Sequence, residues 1–300
     1  MTAVIHLQNL SKSFGNHEAL QACDLRVEKG TIYGFLGENG AGKTTTIKLM
    51  VGLLKPSTGQ IHLFGESLQG HQHALMKRVG ALIEAPSYYR HLSGYDNMLI
   101  LAKLRGLNPA WILKALGTVG LTEVAKAKVK TYSHGMCQRL GIAMAILGEP
   151  ELVILDEPTN GLDPEGIRDM RYLIQSLPKQ FGTTVFISSH LLAEVEQLAH
   201  QVGILKQGRL LFDGDLGALR AQARPSIILR TSQIARAVAV LRDYPTLIDE
   251  DRQIIEVEAP PTKIAAITQS LVTAAIPILE IKEHQPNLEE LYFQLTQAAS

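Results

Sequence analysis

The sequence predicts an α/β protein: a mixed sheet-and-helix core, interrupted by a helical insert and followed by a small α+β unit. Three observations predict it. Short apolar runs of strand length, bounded by glycines or polar residues, occur at 31–37, 151–155 and 183–188, with helical stretches between them. Residues 94–147 lose those runs and read as helices alone. Residues 226–283 then read β-α-β-β-α-β, the split βαβ ferredoxin-like plan. The expected division is a first domain over 1–220, with its helical insert at about 86–147, and an accessory domain over 221–300.

Each element has a local reason. Residues 4–9 alternate apolar and polar, as a half-buried strand does, and 20–27 do so less cleanly before the Lys29-Gly30 turn signal. "TIYGFLG" (31–37) is a buried strand that runs into a glycine-rich loop and then the helical stretch 43–54. "GQIHLFG" (59–65) and "VGALI" (79–83) are further strands. In the insert, 94–106, 109–120 and 135–148 are helices, each ended by glycine. Strands return at 151–155, 183–188, 201–206 and 209–214, with helices starting near Pro164 and His190. The second unit carries strands at 226–230, 246–249, 252–259 and 277–283. Its first helix places Ile234, Val238 and Leu241 on one face, its second Ile264, Ile267 and Leu271. A last helix covers 288–296.

Composition narrows the function. Of 300 residues, 46% are hydrophobic and 19% charged, an ordinary globular profile. Lys+Arg and Asp+Glu both number 29, so there is no global basic field and no nucleic-acid partner is expected. Cys23 and Cys137 lie far apart in no metal-ligand spacing and read as reduced thiols. The N-terminal "MTAVIHLQNL" is not expected to act as a signal peptide, and no apolar run reaches the roughly 18–20 residues that span a bilayer.

"GENGAGKT" (37–44) fits G-x-x-x-x-G-K-[ST]. Gly37, Gly40 and Gly42 let the backbone turn its N–H groups toward phosphates, and the following helix adds its positive N-terminus. Asn39 and Thr45 belong to the same cradle; Lys43 would reach the β/γ-phosphates and the Thr44 hydroxyl would ligand Mg²⁺. "ELVILDEPTNGLDP" (151–164) puts Asp156 at the end of an apolar strand, the usual Mg²⁺ partner beside a phosphate loop, and Glu157 where it can deprotonate an attacking water. His190 follows another strand; it is a cap, a core residue or a γ-phosphate contact. "TYSHGMCQRL" (131–140) is by itself an ordinary helix start.

Taken in order, these motifs over residues 1–215 resemble the nucleotide-binding subunit of ABC transporters. The resemblance implies a P-loop NTPase core of ABC type with an antiparallel β subdomain. It identifies Phe14 with the aromatic that stacks on adenine, 37–44 with the Walker A loop, and Asp156 and Glu157 with the Walker B acid and catalytic glutamate. It also identifies 161–163 with the D-loop and His190 with the switch histidine. "YSHGM" (132–136) falls where the family usually has LSGGQ, with Ser133 and Gly135 retained and His134 in place of a glycine. Glu84 stands where the family usually has glutamine. "LIEAP", the YS-x-GM-x-QRLGIA pattern and the ending "NLEELYFQLT" resemble the bacitracin-resistance and lantibiotic-immunity branch, whose subunits pair with separate membrane proteins and export peptide antibiotics or related amphiphiles.

The resemblance implies an ATPase that takes ATP and Mg²⁺ and works peripherally on the cytoplasmic membrane face. It implies a second nucleotide-binding subunit, identical or not, with ATP at the seam between one Walker A loop and the other's Ser133 and Gly135. It implies Mg²⁺ ligands Thr44, Asp156 and Glu84, and transmembrane permease subunits docking near 86–105. Tyr88 and Tyr89 in that segment are docking residues or local core. His134 either merely preserves the backbone geometry or contacts nucleotide, where its protonation would tune closure. A soluble ABC ATPase acting on ribosomes or DNA is the alternative. It is disfavoured by the one Walker A motif, the absence of sustained heptads and the neutral charge. The accessory domain supports dimerisation or regulation; the sequence leaves both open.

Overall fold

A computed structural model describes residues 3–84, 87–221 and 225–298. The chain divides into two compact units, one running through Leu216 and rejoined at Leu295, the other Gly217–Gln294.

Among the described residues, the first unit is built on one ten-stranded sheet. Its strands are β1 (Ala3–Phe14), β2 (His17–Glu28), β3 (Ile32–Leu36), β4 (Thr58–Leu63), β5 (Glu66–Ser67), β6 (Val79–Leu82), β7 (Leu152–Asp156), β8 (Thr184–Ser189), β9 (Gln201–Lys206) and β10 (Arg209–Asp215). Their spatial order is β5-β4-β1-β2-β10-β9-β3-β8-β7-β6. One end, β5-β4-β1-β2, is antiparallel. The other, β9-β3-β8-β7-β6, is parallel. The helices are α1 (Lys43–Met50), α2 (Leu68–Met76), α3 (Gly94–Arg105), α4 (Ala110–Thr118), α5 (His134–Ile146), α6 (Pro164–Phe181) and α7 (Leu192–Leu198); α8 (Leu216–Ala221) carries the chain into the second unit.

Every residue of β3, β7 and β8 is buried, which is why they read as continuous apolar runs: a parallel strand is covered on both faces. Phe186 of β8 stacks on Tyr33 at 5.3 Å between ring centroids and tilts against Phe35 at 5.4 Å, locking β3 to β8. The three strands end level, with Leu36 opposite Ser189 and Asp156 opposite Ser188. That register delivers three loops to one rim of the sheet, the rim where open α/β sheets bind ligands.

The insert helices start and stop as their sequence signals. Ser93 and Asp96 form a reciprocal capping box on α3, and Gly106 closes it in the left-handed conformation. Asp163 caps α6 through Gly166 N–H, with Pro164 at the first helical position.

Three local expectations shift. α1 ends at Met50, not residue 54, because the chain turns back at Gly52, which has φ +74°. α7 starts at Leu192, so His190 lies in the connection ahead of it. α2 was not foreseen: Gln69 and Gly70 leave helical geometry, Gly70 at φ +87°, and break its periodicity.

The second unit contains β11 (Ser226–Arg230), α9 (Ile234–Val240), β12 (Thr246–Asp249), β13 (Ile254–Glu258), α10 (Ile264–Thr273), β14 (Glu280–His284) and most of α11 (Leu288–Ala298). The strands form an antiparallel sheet ordered β12-β13-β11-β14. Element order thus matches the expected β-α-β-β-α-β. Ile227, Leu229, Ile255 and Val257 form the core with Ala237 of α9, with Leu241 just after it, and with Ile267 and Leu271 of α10.

The two thiols differ. Cys23 is fully buried, and burial foremost, with the charges of Asp213 and Asp24, pushes its pKa up to about 12. Its thiolate fraction at pH 8 is therefore on the order of 10⁻⁴. Cys137 is half-buried. Native protein is expected to react with one equivalent of Ellman's reagent, and Cys137→Ser protein with none until it is unfolded; two equivalents from the native chain would contradict the burial of Cys23.

Candidate functional site

The site is assembled at the ends of β3, β7 and β8. The glycine-rich loop leaves β3 and turns into α1. Gly42, just before the helix, has φ +111°, and a Cβ there would stand 2.4 Å from the Ala19 carbonyl oxygen. A Cβ on Gly37 would stand 2.5 Å from the Leu205 carbonyl oxygen. The loop therefore lies hard against its neighbours, and only glycine fits these two positions. No side chain caps the first-turn N–H groups of α1, and no acid sits in that turn, so the helix start suits an anion.

Lys43 is buried, and its ammonium donates to the carbonyls of Gly37 at 2.6 Å and Glu38 at 3.2 Å. It also pairs with Glu157 Oε1 at 3.2 Å. Thr44 Oγ1 donates to Asp156 Oδ2 at 2.9 Å. The other oxygen of the buried Asp156 accepts from Ser188 Oγ at 2.5 Å, and that hydroxyl in turn accepts from the Glu157 N–H at 3.0 Å. Glu157 has a left-handed backbone, φ +50°, uncommon for a residue with a side chain and concentrated at functional sites. Its second oxygen, Oε2, lies 2.8 Å from His190 Nδ1. One carboxylate thus bridges the loop lysine and the histidine beyond β8.

The donor set fits a hard cation. Among the described residues no cluster of three or more His, Cys, Asp and Glu side chains could hold a metal by itself. A hydroxyl and one buried carboxylate suit an ion such as Mg²⁺, which keeps waters and completes its shell with substrate phosphates. Glu84 does not join this pair directly. It too has a left-handed backbone, φ +57°, and its carboxylate is held by Lys48 Nζ at 2.6 Å, one turn along α1 from Thr44.

A cleft of about 350 Å³ runs along the loop. Phe14 lines it together with Asn39, Gly40, Gly42, Lys43, Thr44, Thr45 and Glu157. The Phe14 ring is half exposed, free to offer a π face, with Lys12 Nζ 5.0 Å from its centroid.

The predicted residues thus form two groups. Phe14, the loop, Asp156, Glu157 and His190 converge. Ser133 and Gly135 form a separate surface at the start of α5. Ser133 is the N-cap, its oxygen accepting from Met136 N–H at 3.2 Å, which leaves its own O–H free to donate. His134 Nε2 contacts the Asn160 carbonyl oxygen at 3.1 Å, so the ring turns to the loop after Glu157. In the segment 86–105, Pro86 lies outside the described residues. Tyr89 exposes its ring while Asn97 clamps its backbone at both N–H and carbonyl, at 2.7 and 3.1 Å.

Sequence reading missed Ser188 and Lys48. Ser188 carried a signal: it is a fully buried hydroxyl at the end of an apolar strand, one that needs a partner. Lys48 carried none, since its partner is 36 residues away.

Residues 20–160 match the family model described as ABC transporter. Over 212 residues the chain is 48% identical to the bacitracin transport ATP-binding protein BcrA of Bacillus licheniformis, covering 70% of this chain and 69% of that protein. It is 41% identical over 210 residues to the lantibiotic transport ATP-binding protein SrtF of Streptococcus pyogenes, covering 70% of this chain and 90% of the other. A solved ATP-binding subunit of an ABC transporter superposes with a TM-score of 0.66 at 29% identity, covering 73% of this chain and 92% of that one.

Proposed function

We propose, for a chain that belongs to the ABC transporter family and is an ATP-hydrolysing subunit of it, that it powers export of peptide antibiotics or related amphiphiles through separate membrane subunits. Among the described residues no helix is long and apolar enough to cross a membrane. The similarity to subunits named for bacitracin and lantibiotic transport supports the cargo class.

The observation that carries the reading is the Glu157 carboxylate, bridging Lys43 and His190 at the mouth of the phosphate loop. ATP binds with its adenine on Phe14 and its phosphates on the loop N–H groups. Lys43 exchanges Glu157 for the β/γ-phosphate oxygens, a charge-assisted contact. That frees Glu157 Oε1 to accept a proton from water while His190 steadies Oε2. The water oxygen bonds to Pγ, the bond from Pγ to the bridging oxygen breaks with its electrons staying on ADP, and inorganic phosphate leaves. Thr44 and Asp156 would hold Mg²⁺, which spreads the charge that builds on the phosphate oxygens.

Two such subunits meet head to tail, each ATP seated on one loop and closed by the partner's Ser133 hydroxyl and Gly135 N–H. ATP favours the closed pair because only there are both surfaces used. The exposed Tyr89 and the helix after it form the docking face for the membrane partner, and the subunit is peripheral to the cytoplasmic side. Deleting the chain from its host is expected to raise sensitivity to peptide antibiotics, with rescue by the wild type and not by Glu157→Gln. Unchanged sensitivity, together with recovery of the chain on ribosomes, would overturn the transport reading.

Glu84 adds a negative charge beside the γ-phosphate seat, and Lys48 neutralises part of it. The pair is largely exposed, so its effect is modest. Glu84→Gln is expected to narrow the difference in ATP affinity with and without Mg²⁺ by about two- to fivefold. An unchanged ratio in a nucleotide titration would remove Glu84 from this role.

A further inference from the structure

His134 is the first residue of α5, between the two residues assigned to the partner's ATP, yet it makes its contact elsewhere. Its Nε2 lies 3.1 Å from the Asn160 carbonyl oxygen. A carbonyl only accepts, so the ring donates Nε2–H. That proton is present in the neutral Nε2–H tautomer and in the imidazolium alike, so ring protonation leaves the contact in place. The ring also covers Gly161, where a Cβ would stand 3.0 Å from Nε2, and the next helix residue, Gly135, faces Leu162. Two consecutive residues of the helix start therefore rest on residues 160–162.

That loop is short and tied at both ends. Asn160 N–H donates to the Glu157 carbonyl at 3.1 Å, and the buried Thr159 hydroxyl donates to Glu194 at 2.6 Å. Asp163 then caps α6. The carbonyl held by His134 is three residues from Glu157, whose carboxylate touches Lys43 and His190 of this chain's own ATP site. A rigid path thus runs from one ATP site to the surface that closes the other.

We propose that His134 is a positioning residue that couples the two ATP sites, passing a displacement of the Glu157 segment to Ser133 and Gly135 on the far side of the seam. The coupling rests on the head-to-tail pairing proposed above. With it, nucleotide state at one site alters closure over the other, a reciprocal linkage.

The test is the ATP dependence of hydrolysis by the full transport complex carrying wild type, His134→Leu or His134→Gln, beside a Glu157→Gln control. The expected result is a Hill coefficient that falls from near two toward about one in His134→Leu. It is restored in His134→Gln, whose amide supplies the donor, while nucleotide affinity of the isolated monomer is unchanged. Amide exchange over residues 159–163 is expected to quicken in His134→Leu and return in His134→Gln. If the Glu157→Gln control forms an ATP-trapped pair and His134→Leu keeps the wild-type Hill coefficient, the coupling is overturned and the pairing stands. If the control forms no pair, the pairing is overturned and the coupling with it.

Discussion

Glu157→Gln is expected to slow ATP hydrolysis by about 10²–10⁴-fold, the usual worth of a general base. The amide keeps the size of the side chain and an oxygen that can face His190, but it cannot take a proton. It also lacks the charge that pairs with Lys43 at 3.2 Å. Binding of Mg-ATP survives, because the loop, Phe14 and Thr44 are untouched, and the protein accumulates as an ATP-trapped pair. Phosphate release and size-exclusion chromatography with Mg-ATP measure both effects. Equal hydrolysis rates in wild type and variant would take the proton-accepting role away from Glu157.

Lys43→Met acts one step earlier, on binding. The thioether has nearly the length of the lysine stem and fits the same buried position, so the loss is mainly the ammonium. A hydrogen bond to a charged group contributes about 1.5–3 kcal/mol, so Mg-ATP affinity is expected to fall roughly 10–150-fold. Hydrolysis at limiting ATP falls at least as far. The carbonyls of Gly37 and Glu38 lose their donor as well, so the loop is expected to loosen. Calorimetric titration with Mg-ATP checks the first figure; wild-type affinity would show that the ammonium does not meet the phosphates.

How much of this was legible depended on where each contact is made. The phosphate loop and the three buried strands are local patterns, so a short window of sequence holds them entire. Asp156 and Glu157 were legible because a carboxylate at the end of a buried apolar strand has few other uses. β1 was read as residues 4–9 but runs Ala3–Phe14, because register shifts at Leu7/Leu10 and beyond break its alternation. α2 was missed because Gly70 interrupts its period. Ser188 and Lys48 meet partners 32 and 36 residues away, and no local window carries such pairings. His134 was open between nucleotide and backbone for the same reason: the Asn160 carbonyl it meets is 26 residues on.

The uniform burial of β3, β7 and β8 has a consequence for how the molecule comes apart. Their amides are protected from water on both faces and bonded to strands on both sides, so they exchange hydrogen only through openings close to global unfolding. Asp156 ends β7, Glu157 is the next residue and Lys43 lies seven residues after β3, while the surfaces proposed to meet other subunits ride on the insert and its loops. The hydrolytic centre is thus moored to the last part of the domain to melt, and the partner-facing parts can breathe without dismantling it.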